Sequence, residues 1–167
     1  DYNVVADAML EDYFGMDKWF KPEVNLKLNV KSIPGLNYQQ TIGYENRQWE
    51  HHLYYPSTHR DEIENSRKGH AYLGFSKTEN LTSEGYFSYV KDLNDSHSLN
   101  ATAGYSYFET NGESFGMDNY NFSVDGIKYW DIGQGSYLSD GKAGMSSSKS
   151  VTERLFSLFA RANYSYQ

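Results

Sequence analysis

Apolar and polar residues alternate with a period of two along several stretches of this chain. In LNATAGYSYFET (99–110), Leu99, Ala101, Ala103, Tyr105 and Tyr107 hold one set of positions, and Asn100, Thr102, Gly104 and Ser106 hold the other. That period is the signature of an extended strand with one apolar and one wet face. From Pro22 onward, Val24, Leu26, Leu28 and Val30 alternate with Asn25, Lys27, Asn29 and Lys31. SIPGL (32–36) then supplies a Pro-Gly turn signal, and the alternation resumes with Leu36, Tyr38, Gln40, Ile42 and Tyr44. A third strand is predicted over about 70–91, where Leu81, Ser83, Gly85, Phe87 and Tyr89 oppose Thr82, Glu84, Tyr86 and Ser88. The strand at 98–110 is the fourth. The fifth is ERLFSLFARANYSYQ (153–167), with Phe156, Leu158, Ala160, Ala162, Tyr164 and Tyr166 on one side. Residues 1–21 show no strand pattern, and VADAMLEDYF (5–14) predicts a short helix before Gly15.

The connections are unequal. Short turns are expected at about 32–36 and 92–97, and long loops at about 46–69 and 111–152, with strand character persisting to Tyr55 in the first. Short turns at one end and long loops at the other are how outer-membrane barrels are built, with the turns periplasmic and the loops external. The expected fold is therefore all-β, an antiparallel meander of about five long strands forming part of a large transmembrane β-barrel. Five strands cannot close such a barrel, because about eight are needed. An edge left open in lipid would strand backbone amides at several kcal/mol each. The whole chain, 1–167, is accordingly read as one partial barrel segment. The rival reading is a soluble all-β carbohydrate-binding module, in which the same alternation packs two sheets. A hydrolase domain built on scattered acids is a third.

Composition supports strands over helices. Aromatic residues make up 17% of the 167 residues and tyrosines alone number 16, which leaves little aliphatic material for an ordinary core. The net charge of −7 comes with scattered basic residues, so no nucleic-acid footprint is present and no nucleic-acid partner is expected. There are no cysteines, which excludes disulfides and thiolate metal sites. No run of about 18 apolar residues is present, so no transmembrane helix is expected, and residues 1–14 lack the pattern of a signal peptide.

No catalytic constellation emerges, and an enzyme is not expected. No G-x-S-x-G elbow is present. His51, His52 and His59 lie near Glu50, Asp61 and Glu62, but adjacent histidines on a strand point to opposite faces and could not share an ion. DNYNFSVDG (118–126) lacks the spacing of a calcium loop. Neither a metal nor a cofactor is expected. The long loop is more suggestive. Tyr120, Phe122, Tyr129, Trp130 and Tyr137 sit among Gly, Asp and Asn, a composition that suits glycan contact and equally suits a small core of the loop's own. Tyr120, Tyr129, Trp130 and Tyr137, with Arg161 on the wet face of the last strand, are the candidate substrate contacts.

Four pieces, in order, carry a family resemblance. LKLNVKSIPGLNYQQTIGY (26–44) resembles a strand, "-GL-" turn and returning strand of SusC/RagA-like TonB-dependent outer-membrane transporters of the Bacteroidetes. YYPST (54–58) resembles the start of an external loop in that family. HSLNATAGYSYFETNGESFG (97–116) is similar to its "HNLNALAGYS"-type segment. LFSLFARANYSYQ (155–167) is similar to its "L-x-S-x-F-A/G-R-x-N-Y-x-Y" strand. Neither plug nor TonB box is among these residues. The resemblance implies a bacterial outer-membrane importer of oligosaccharides or other nutrients such as peptides, with a SusD-like surface lipoprotein and TonB as partners. On this reading Leu99, Ala101, Tyr105, Phe156, Leu158 and Tyr164 face lipid, while Asn100, Thr102 and Ser106 face the lumen.

Overall fold

A computed structural model describes residues 4–166. The fold is all-β and mostly antiparallel. A short helix α1 (Val4–Leu10) precedes strands β1 (Asp12–Phe20), β2 (Glu23–Asn29) and β3 (Leu36–Tyr55). Helix α2 (Arg60–Glu64) follows, then β4 (His70–Asn94) and β5 (His97–Tyr120). A kinked 3-10 segment (Asp125–Gln134), β6 (Gly144–Lys149) and β7 (Glu153–Tyr166) complete the order. All seven strands join one sheet in the order β1-β3-β4-β5-β6, with β2 also on β3 and β7 also on β5.

The five predicted strands are β2, β3, β4, β5 and β7. β1 and β6 are additions, and both lie where no strand was expected. β1 was hidden because DYFGMDKWF carries aromatics on both faces: Tyr13 meets His51 and Phe14 meets His52 across the ladder, at ring separations of 5.0 and 5.2 Å. The helix expected over 5–14 therefore stops at Leu10. Pro22 separates β1 from β2, since it lacks an N–H for the ladder, although its carbonyl still accepts from Tyr44 N at 3.0 Å.

The long-loop boundaries shrink at the strand ends. Residues 46–55 belong to β3, and the connection itself is 56–69. Residues 111–120 belong to β5 and 144–149 to β6. In both places cross-strand pairs hold the extension, for example Ser114 Oγ to Ser148 Oγ at 2.8 Å. The short connections are shorter than the expected 32–36 and 92–97, because Leu36 belongs to β3, residues 92–94 to β4 and His97 to β5. Val30 N donates to Leu36 O, and Gly35, at φ 90°, closes the first turn in a conformation only glycine adopts without strain. Asp95 and Ser96 alone join β4 to β5.

The chain divides into two compact units, each described by itself: unit 1 comprises 1–18, 47–77 and 112–150, and unit 2 comprises 19–46, 78–111 and 151–167. Unit 1 has a small core. Tyr54, Ala71, Phe122 and Tyr129 are buried, with Leu73, Ile127 and Ile132 packed against them. Unit 2 has none. Among its described residues Gly85 alone is buried, and no second sheet covers either face. The two-sheet packing required by a soluble sandwich is thus missing among the described residues.

Candidate functional site

In unit 2 the register sorts side chains into two chemically distinct faces. β7 lies antiparallel on β5 with Leu99 opposite Tyr164, Ala101 opposite Ala162, Ala103 opposite Ala160, Tyr105 opposite Leu158 and Tyr107 opposite Phe156. Directly opposed residues share a face. Leu99, Ala101, Tyr105, Phe156, Leu158 and Tyr164 are therefore brought together on one side. On β2 and β3 the opposed pairs Val24–Ile42, Leu26–Gln40 and Leu28–Tyr38 continue the set. Tyr38 meets Phe87 of β4 at 4.7 Å between ring centres, and Tyr105 meets Phe156 at 6.1 Å. Leu158 is 76% exposed.

The opposite face is mostly polar, with Phe159 opposite Gly104 and Leu155 opposite Phe108 as apolar exceptions. Thr41 donates to Asn25 at 2.6 Å, Asn80 to Glu45 at 3.2 Å, Tyr86 to Gln39 at 2.9 Å and Ser106 to Glu84 at 3.3 Å. Thr102 opposes Arg161, and Asn100 opposes Asn163. Arg161 makes a long bond to Asn163, at 3.4 Å, and is exposed.

One polar knot interrupts the apolar face. Gln40 Oε1 accepts from Tyr38 Oη at 2.5 Å and from Tyr105 Oη at 3.0 Å. Gln40 Nε2 donates to Ser83 Oγ at 3.0 Å and Thr41 O at 3.1 Å, and Ser83 Oγ reaches Tyr105 Oη at 3.2 Å. These groups satisfy one another, which lowers the cost of removing them from water. The knot sits over the buried Gly85: a Cβ there would lie 2.6 Å from Gln40 Oε1 and 2.7 Å from the Tyr105 ring. Sequence reasoning missed it, because Gln40 and Ser83 looked like isolated polar residues in an apolar row.

Unit 1 carries the loop aromatics. Asp125 pins the 3-10 segment by accepting from Tyr54 Oη at 2.8 Å, Ser57 N at 2.9 Å and Ser57 Oγ at 2.7 Å. Burial works to raise the Asp125 pKa, yet these bonds from Ser57 and Tyr54 hold it below the ordinary carboxylate value. Burial and the same carboxylate push the Tyr54 phenol up. Asn119 Nδ2 donates to Ile132 O at 2.8 Å and Gly135 O at 2.7 Å, fixing the far end of the segment. Lys128, at φ 52° and ψ −139°, kinks it and pairs with Asp12.

The kink separates two neighbouring candidates. Tyr129 turns inward, 8% exposed, against His52, while Trp130 turns outward at 77%. Tyr120 and Tyr137 lie 5.2 Å apart, and His70 stacks on Tyr120 at 4.2 Å. The Arg67 guanidinium covers the Tyr120 ring at 4.4 Å and grips the fully buried Glu62 through two bonds of 2.7 and 3.1 Å. Burial raises the Glu62 pKa against the pull of Arg67, and burial lowers that of His70 to about 4. Tyr120 is pushed up to about 12 by burial and its bond to Asp118. The loop aromatics thus form two clusters within unit 1, whereas Arg161 belongs to unit 2. His51 packs among Tyr13, Trp49 and Tyr72, and His59 stacks on Tyr55 at 4.2 Å. Among the described residues no three potential metal ligands converge.

An antiparallel sheet with one apolar and one polar face, and with no core between, has the architecture of a β-barrel segment. No helix of the described residues is long and apolar enough to cross a membrane, which says nothing against crossing with strands. Structural comparison leads to particular proteins. Over 95% of its length, the chain superposes on a chain of the RagAB peptide importer in its "closed-closed" state, with a TM-score of 0.80 at 16% identity. The RagAB peptide transporter gives 0.78 at 17% identity, and the importer in its "open-open" state gives 0.71 at 17%. In each case this chain spans 17% of the matched chain. No family model and no curated protein matches the sequence. At this identity the likeness shows the fold.

Proposed function

We propose that this chain is a wall and external-loop segment of an outer-membrane, TonB-dependent importer of the SusC type. The observation that supports the reading is the face segregation of unit 2 across β5 and β7 between the Leu99–Tyr164 and Tyr107–Phe156 rungs, with Phe159 the one apolar side chain on the polar side of that stretch of the ladder. The apolar face, with Leu99, Ala101, Tyr105, Phe156, Leu158 and Tyr164, meets lipid. The polar face, with Asn100, Thr102, Ser106 and Arg161, lines a hydrated lumen. The segments 56–69 and 121–143 lie outside the cell, and the turns at 32–36 and 95–96 face the periplasm. The cargo is an oligosaccharide or a peptide, and the peptide importers matched in structure support the latter. A SusD-like lipoprotein and TonB are the partners, and no covalent chemistry is performed. Of the loop aromatics, Trp130 and Tyr137 are the ones that would contact cargo or the SusD-like lipoprotein, while Tyr129 and Tyr120 hold the loop in shape.

Two neighbouring substitutions test the reading, because adjacent strand residues face opposite ways. Leu158→Arg would put a charge into lipid at a cost of about 2–4 kcal/mol near the bilayer midplane. It is expected to abolish assembly of the heat-modifiable barrel in outer membranes. Ser157→Arg points into the lumen and should assemble normally. Equal assembly of the two variants would overturn the membrane placement.

A further inference from the structure

The apolar face of unit 2 is not uniformly filled. Ala101, Ala103, Ala160 and Ala162 occupy two adjacent rungs of the β5–β7 ladder. With only methyl groups on four neighbouring positions, the sheet backbone is laid bare, and Phe87 and Tyr89 of β4 rise beside it as a wall. The result is a groove of about 390 Å³ lined by these six residues together with Thr102 and Arg161. Its lining is mostly hydrocarbon, so it offers chiefly dispersion contact along its length.

The end of this face nearest the β4–β5 turn is polar and cationic. Two residues beyond Tyr89 on the same side of β4, by strand alternation, comes Lys91, which is exposed and has no ion-pair partner among the described residues. Across the sheet His97 opposes Tyr166. The His97 ring packs on Tyr166 at 4.9 Å and hydrogen-bonds the Tyr164 hydroxyl. From the Ala101–Ala162 rung to the His97–Tyr166 rung is four residues, about 13 Å along the strand. A free ammonium and a hydroxyl-imidazole pair therefore stand at one end of a hydrocarbon trough.

The geometry points to a phospholipid site: one acyl chain lies in the alanine-floored groove and the phosphate sits between Lys91 and the His97–Tyr164 pair. Charge complementarity selects this occupant, since a cation above an apolar groove matches a phosphodiester above its chain. The site rests on the membrane placement of this face. Because the short turns then face the periplasm, the leaflet at this end is the phospholipid leaflet. Ordered lipid here would fill a depression in the apolar face.

The test uses the full chain, released from bilayers of palmitoyl-oleoyl phosphatidylethanolamine and phosphatidylglycerol into mild detergent, with bound lipid read by native mass spectrometry. One retained phospholipid is expected for the parent, lost in Ala103→Phe, which fills the groove, and weakened in Lys91→Ala, which leaves the groove intact. Labelling of Leu158→Cys with membrane-permeant and water-soluble maleimides is run alongside. Protection of that cysteine from the water-soluble reagent upholds the membrane placement independently. Protection together with no retained lipid, or with equal retention in all three proteins, overturns the lipid site alone. Disulfide-linked dimers of Ala103→Cys would also overturn it, by showing a second copy of the chain in the groove.

Discussion

Strands β3, β4 and β5 contribute to both unit 1 and unit 2, yet the two units solve burial in opposite ways. Unit 1 closes a small core around Tyr54, Phe122 and Tyr129 and spends its polar groups on pinning that core, through Asp125 and Asn119. Unit 2 buries a single glycine and leaves Val24, Leu26, Phe87, Phe156 and Leu158 uncovered. Alternation therefore says only that a strand has two faces. Whether the apolar one becomes a core depends on a second layer, which a 3-10 segment supplies in unit 1. No second layer appears among the described residues of unit 2. A region with its own core should respond to core mutation as a globular protein does, and a region without one should respond to its surroundings.

The sharpest break in that comparison is Phe122→Ala. Phe122 is 3% exposed and packs edge-on against Tyr54 at 5.8 Å. Truncation should cost about 3–5 kcal/mol. The loss should be confined to unit 1, read as rapid hydrogen exchange over 121–137 while 99–107 stays protected. Phe156→Ala removes a similar ring from the exposed face of unit 2, where no cavity forms, and should leave exchange in 99–107 nearly unchanged. Equal effects of the two would erase the distinction between the units.

Much of unit 2 was legible in advance because its strands are two-sided. Where one face is wet and one apolar, as in 99–107 or 156–166, period two is visible and fixes which residues share a side. In unit 1 the same reasoning failed at β1, whose aromatics lie on both faces, and at 112–120, where Glu113 and Asn119 interrupt the row of Phe115 and Met117. The loop's role as a core was weighed in the sequence, but the split between Tyr129 and Trp130 was not. It depends on the left-handed φ of Lys128, a residue with no sequence signal for that conformation. The knot around Gln40 was equally hidden, since a cross-strand partner 43 residues away leaves no local trace.

That knot provides the second test. Gly85→Ala places a methyl within 2.8 Å of Gln40, Tyr105 and Tyr38 atoms, so the hydrogen-bonded ring must open. The expected cost is about 1–3 kcal/mol, from overpacking and from polar groups left unpaired. Urea unfolding of the protein should show it. The cost should fall when Tyr105→Phe is added, because one of the displaced hydroxyls is then gone. Strict additivity of the two substitutions would show that the glycine does not serve the knot.

Acid should weaken unit 1 through His70. Its ring is held neutral down to about pH 4 by burial, whereas the unfolded chain takes up a proton near 6.5. Stability is therefore complete above pH 6.5 and falls as the pH drops toward 4, by on the order of 1–2 kcal/mol once the ring's residual solvent contact is allowed for. Glu62 works in the opposite sense, because its raised pKa lets the folded state take up a proton before the unfolded chain does. The readable quantity is thus the difference between parent and His70→Gln in hydrogen exchange over 70–75 and 117–122, measured at pH 7 and pH 5. A steeper acid loss in the variant than in the parent would contradict the assignment.

The smallest effect is expected from Trp130→Ala, and its smallness is what the comparison requires. Trp130 is the largest side chain of the 3-10 segment, and a core residue of that size would cost about 3–5 kcal/mol on truncation. With the residue 77% exposed and a ring contact to Tyr129 at 5.0 Å, little packing is lost. The change in unit 1 stability should stay within about 0.5 kcal/mol, as for exposed positions elsewhere. Lys128 holds a strained backbone beside it, stabilised by pairing with Asp12, and such strain is kept where the surrounding structure imposes it. If the tryptophan is there for cargo or lid, its removal should weaken uptake of the transported solute while exchange over 121–137 stays at parent rates. If exchange accelerates there as much as in Phe122→Ala, Trp130 belongs to the core of unit 1, and the loop presents no aromatic to a ligand at this position.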